Sequence, residues 1–175
     1  MYLVSAYFDD KTNRILQGYI DRIARQTGNT FMLDNNVPPH MTISQIEARN
    51  ADVLIPAFER LEGQQLKAGQ IQIASVGQLM PYVIYAAPVL NRYLQGLSET
   101  VYAAFSGVKD TSISRYYRPF SWMPHITLGK KLDKEQMRQA FEVMQGAFNV
   151  CEGSIVRLGL SEVNPHRDLK VMELR

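Results

Sequence analysis

The chain has 175 residues, enough for one compact domain or for two small lobes on a shared core. Hydrophobic residues make up 46% and charged residues 21%, which excludes a disordered or fibrous chain and describes an ordinary globular protein. A net charge of +2 is too small to argue for nucleic-acid binding from bulk charge, and a single cysteine, Cys151, excludes an intrachain disulfide.

Tyr2 to Phe8 is a short apolar and aromatic run ended by Asp9-Asp10, and it reads as a strand. It carries no basic leader, and no apolar run approaches the ~20 residues of a bilayer span. Neither a signal peptide nor a membrane anchor is therefore expected, and cytoplasmic residence is. Lys11 to Gln26 carries Ile15, Leu16, Tyr19, Ile20 and Ile23 at helical spacing and stops at Thr27-Gly28-Asn29. Phe31 to Leu33 reads as a short extended piece. Asp34-Asn35-Asn36 then turns the chain into Pro38-Pro39, where helix is barred, and Met41 to Ile46 reads as a strand.

A second helix is expected over Ala51 to Leu61, with Asn50 as its cap and Gly63 beyond its end. Gln70 to Val76 alternates polar and apolar residues, the pattern of a half-buried strand, and Val83 to Ala86 is a further strand after Pro81. Pro88 stands where a helix can begin, with Val89, Leu90, Tyr93, Leu94, Leu97, Val101 and Phe105 as its apolar stripe. Gly107 to Phe120 has little periodicity and reads as a loop. Asp133 opens a helix to about Phe148, with Met137, Ala140, Phe141 and Met144 on one face. Ser154 to Leu160 and Leu169 to Leu174 are the last strands. Cys151 reads as a small buried residue.

Two stretches carry the functional signal. Pro39-His40-Met41-Thr42-Ile43 and Pro124-His125-Ile126-Thr127-Leu128 share one frame, and they hold two of the three histidines. In each half a strand and a helix precede the motif strand, and a helix and a strand follow it, so the pattern of elements repeats although identity between halves is poor. No linker rich in Gly, Ser or Pro divides the halves. The expectation is one domain, 1–175, of two pseudo-symmetric lobes.

Residues i and i+2 of a strand share a face. His40 and Thr42 therefore point one way while Met41 and Ile43 point to the core, and His125 and Thr127 do the same against Ile126 and Leu128. Two facing imidazoles suit paired proton transfer, since one accepts while the other donates. Phosphodiester chemistry uses such a pair, with threonine hydroxyls and backbone amides holding the non-bridging oxygens. No metal or other cofactor is needed.

The paired motifs resemble those of the 2H phosphoesterase superfamily, which includes the 2'-5' RNA ligase-like proteins and 2',3'-cyclic nucleotide phosphodiesterases. The resemblance implies an α+β, bilobal fold of duplicated antiparallel sheets around a central cleft, with helices outside. It implies His40 and His125 as the catalytic pair and Thr42 and Thr127 as phosphate contacts. It also implies metal-independent attack on a 2',3'-cyclic phosphate or 2'-5' linkage of a nucleotide or RNA end. Two positions depart from the pattern: Gln45-Ile46-Glu47 follows the first motif where many relatives have an aromatic and then a glycine. Lys130 follows Gly129 where RNA-processing members often have arginine. Both departures bear on RNA as the substrate.

Arg115, Tyr116, Tyr117, Arg118, Phe120 and Trp122 lie just before His125, a mix that stacks a base and steers a phosphate or else packs as a hydrophobic loop. Arg115 and Tyr117 are the leading substrate contacts among them. Strict alternation sets Lys130 opposite to His125, in solvent. His166, in Asn164-Pro165-His166-Arg167-Asp168, reads as an exposed turn histidine. Two rival functions remain open: a nucleotide- or RNA-end-binding module without turnover, and a zinc-dependent hydrolase built on the three histidines. No membrane association and no obligate protein partner are expected.

Overall fold

The protein is described here from a computed structural model, which covers residues 1–163 and 165–175. Its strands are β1 (Tyr2–Phe8), β2 (Met41–Ala48), β3 (Gly69–Leu79), β4 (Val83–Pro88), β5 (Thr111–Ile113), β6 (Ile126–Gly129), β7 (Cys151–Glu162) and β8 (Arg167–Glu173). Its helices are α1 (Asp10–Thr27), α2 (Phe31–Asp34), α3 (Ile55–Gly63), α4 (Arg92–Phe105) and α5 (Lys134–Ala147), with a 3-10 turn at Arg115–Tyr117. All strand pairings are antiparallel. The expected α+β class holds.

The pairings run β1–β2–β6–β4–β3–β7 and return from β7 to β1, closing a circuit. Exchanging β1 with β4, β2 with β6 and β3 with β7 leaves that circuit unchanged. The helices obey the same exchange: α1 packs on α5 and α3 on α4, so each helix pair takes one member from each half. The duplication read from the motifs is thus an architectural two-fold. Only β5, added to β2, and β8, added to β7, lack a counterpart among the described strands.

Both halves feed one buried cluster that includes Phe8, Phe58 and Phe105. Each such ring contributes about 1.5–3 kcal/mol by leaving water. Helix ends are fixed by local chemistry. The Asp9 carboxylate accepts from Thr12 N at 2.9 Å and from Ser154 N at 2.6 Å, which caps α1 and binds its start to β7. Asp133 and Gln136 form a capping box at the start of α5.

Several boundaries differ from expectation. Phe31 to Leu33 is helical, because Asn29 Oδ1 accepts from Phe31 N at 3.2 Å and starts a turn. The helix expected from Ala51 begins at Ile55, after a turn in which Leu54 N donates to Ala51 O, and Asn50 is not its cap. Pro88 ends β4 rather than opening a helix, and Val89 N goes on to donate to Gln72 O at 2.8 Å. Asn91 caps α4 instead, leaving Val89 and Leu90 exposed. The loop before the second motif contains β5, paired with Ile46–Ala48. Cys151 is only partly buried.

Candidate active site

The two motif strands meet at one pairing, Met41 with Ile126. Extending this register by a residue either way sets His40 toward Thr127 and Thr42 toward His125. Met41, Ile43, Ile126 and Leu128 are all but fully buried, as alternation requires, while Thr42, Thr127 and both histidines line a cleft of ≈ 190 Å³. Each motif thus offers one imidazole and one hydroxyl to a common space, across the local two-fold.

The two histidines are held in the same way. His40 Nδ1 lies 2.8 Å from Pro38 O, and His125 Nδ1 lies 3.0 Å from Met123 O. A carbonyl only accepts, so Nδ1 is the protonated nitrogen in both rings. Nε2 is then the nitrogen that accepts or donates a proton in the cleft. Burial pushes His40 down to about 4, and the neighbouring His166 and His125 push the same way against the pull of Pro38 O and Asp168. Burial also lowers His125, opposed by its bond to Met123.

The aromatic segment before the second motif divides. Trp122 is buried, and its Nε1 donates to Thr42 O at 3.0 Å, so it braces the first motif rather than stacking a ligand. Tyr117 lines the cleft, and burial pushes its phenol up. Arg115 is exposed, its guanidinium bonded at 2.8 Å to the Tyr116 hydroxyl, and it is not part of the cleft wall. Phe120 is 85% exposed. Lys130 is exposed but lines the cleft, with its ammonium 5.9 Å from the Phe31 ring centre. The regular alternation ends with β6 at Gly129, which is why it misdirects Lys130.

His166 is the residue whose reading changes most. Its side chain is 6% exposed and lines the cleft, packed on His40 with ring centres 5.5 Å apart. The turn expected to expose it folds back because His166 N donates to Asn35 O at 3.1 Å. Pairing partners explain the rest. Ser5 pairs with Thr42 and Leu3 with Gln45, so alternation carries Tyr7 of β1 along the same face, beneath the cleft. Tyr7 Oη reaches His166 Nε2 at 3.0 Å and Asp168 Oδ1 at 2.5 Å. The spacing His166-x-Asp168 was the available signal. No group of three or more His, Cys, Asp or Glu side chains is arranged to hold a metal among the described residues. Nor is any described helix long and apolar enough to cross a membrane.

A two-fold circuit of antiparallel strands that presents paired Pro-His-x-Thr frames to one cleft is the architecture of the 2H phosphoesterases. The chain belongs to the 2'-5' RNA ligase superfamily, whose family model matches residues 13–166. Among solved structures, a crystal structure described as a phosphoesterase is similar at TM-score 0.67 and 16% identity, covering 99% of this chain and 97% of its own. E. coli LigT complexed with 3'-AMP is similar at TM-score 0.65 and 15% identity, with 99% and 97% covered. The protein TT0787 of Thermus thermophilus is similar at TM-score 0.61 and 17% identity, again with 99% and 97% covered. At these identities the likeness is one of fold. No curated protein matches the chain in sequence.

Proposed function

We propose that residues 1–175 form a single bilobal phosphoesterase domain that opens a cyclic phosphate or phosphodiester of a nucleotide or RNA end by two-histidine acid–base catalysis. The observation that carries this reading is the matched pair of Nδ1–carbonyl bonds on His40 and His125, which leaves two Nε2 atoms for proton transfer in one cleft. One imidazole takes the proton of the attacking water or hydroxyl, and the other protonates the departing oxygen. Thr42 and Thr127 hold the non-bridging phosphate oxygens as charge grows on them. Tyr117, Phe31 and Lys130 offer aromatic faces and a cation to the remainder of a nucleotide. A 2',3'-cyclic phosphate and a 2'-5' linkage both meet these requirements. The LigT structure with bound 3'-AMP supports a nucleotide as the ligand class.

The test is hydrolysis of a panel comprising 2',3'-cyclic nucleotides, 2'-5'-linked dinucleotides and ADP-ribose cyclic phosphate. His40→Ala and His125→Ala are each expected to lose a factor of about 10² or more on the active substrate, with EDTA leaving the wild-type rate unchanged. Full turnover in either variant refutes the reading. Binding of a nucleotide without turnover by the wild type would instead favour a binding module.

A further inference from the structure

The first-motif side of the cleft carries a support that has no counterpart on the second among the described residues. The Asp168 carboxylate can only accept, so Tyr7 donates its one proton to Asp168 Oδ1 at 2.5 Å. The Tyr7 oxygen then accepts from His166 Nε2–H at 3.0 Å, with Asp168 Oδ1 3.5 Å from the same nitrogen. This chain clamps the His166 ring against His40, with the rings tilted by 35°. The bond from His166 N to Asn35 O ties the same turn to the segment that feeds Pro38-Pro39-His40. On the other side, the one aromatic ring against His125 among the described residues is Tyr85, edge-on with ring centres 5.7 Å apart.

We propose that His166, clamped by Tyr7 and Asp168, is a positioning residue for His40, and that its one-sided presence makes His40 the proton acceptor and His125 the proton donor. This rests on the phosphoesterase reading above. His166, His125 and Asp168 face His40, Lys130 and Tyr117 line the same cleft, and Arg157 lies over the Tyr7 ring at 5.8 Å. A bound phosphodiester anion favours one imidazolium in the cleft. His166 packs on His40 and opposes charge there, whereas the repulsion between His40 and His125 is mutual and favours neither ring, so the proton falls to His125. His40 Nε2 then takes the proton of the attacking water as the water oxygen bonds to phosphorus. The bond from phosphorus to the leaving oxygen breaks, and His125 Nε2 gives that oxygen its proton.

Three histidines give three imidazole signals by carbon–proton NMR of the full chain, assigned by single substitutions. In the free wild type, His40 should titrate at lower pH than His125. His166→Phe keeps a ring against His40 but removes its nitrogens and with them the opposition to charge on His40, so the His40 midpoint should rise by about half a pH unit or more. Tyr7→Phe, which frees the clamp and preserves the fold's packing, should move it in the same direction. On an active cyclic nucleotide, His166→Phe should lower kcat about tenfold with KM little changed, and His166→Gln, which retains a side-chain N–H donor, should recover part of it. A His40 midpoint unmoved in both ring variants, or one above that of His125, overturns the proposal. The NMR arm needs no turnover, so an inactive wild type refutes the phosphoesterase reading separately.

Discussion

Replacing His40 with glutamine removes an imidazole that resists protonation only in the folded chain. Its ordinary value is 6.5, and enclosure in the cleft brings it to about 4. Between those limits the unfolded chain binds a proton at His40 that the folded chain does not, so stability falls as pH falls. That displacement corresponds to about 3 kcal/mol when fully developed. About 2 kcal/mol of it is lost between pH 7 and pH 5, an upper figure because the ring is partly open to the cleft mouth. His125 is lowered in the same direction and adds a smaller loss that the variant retains. Asp9 and Asp168 are held below the carboxylate range and release their contribution only below pH ~4, outside this window. Urea unfolding followed by the single tryptophan, Trp122, gives the measurement. The wild type should lose stability from pH 7 to pH 5, and His40→Gln should lose clearly less. Equal slopes in the two proteins would refute the argument that the cleft keeps His40 uncharged.

Thr42→Val and Thr127→Val keep shape and remove a hydroxyl, and each should lower kcat on an active phosphodiester by about 10- to 100-fold without a comparable loss of stability in urea. Trp122→Phe leaves the buried Thr42 carbonyl without its indole donor, at a cost of about 1–3 kcal/mol in unfolding free energy. At Gly77 an added Cβ would overlap the Tyr85 hydroxyl and sit 2.5 Å from its Cζ. Gly77→Ala should therefore push Tyr85 off His125, lowering kcat while the far-ultraviolet dichroism stays native.

Periodicity found most elements because each buries a single face. Leu16, Tyr19, Ile20 and Ile23 are the buried stripe of α1, and Ile71 and Ile73 are the inward residues of β3. The pairing of the two halves was also legible, since the repeated frame forces like residues into like positions. Local chemistry defeated the reading where side chains rather than hydrophobic pattern set the backbone. Asn29 starts a helical turn at Phe31, and Asn91 rather than Pro88 starts α4. His166 was missed for a different reason. Its setting depends on Tyr7, 159 residues away, and on Asn35, and no window along the chain contains them together. Arg115 was chosen for its charge, yet its partner is its neighbour Tyr116.

The closed circuit of strands has a consequence for how such a chain can change. A chain of half this length could complete the circuit only by joining a second copy of itself, and that assembly would be bound to present two identical frames. Covalent continuity lifts the constraint. One half here has gained β5 along its motif strand, and the far strand has gained β8 with His166 at its approach. Symmetry builds the cleft, and its breaking is what allows two like histidines to be given unlike neighbours.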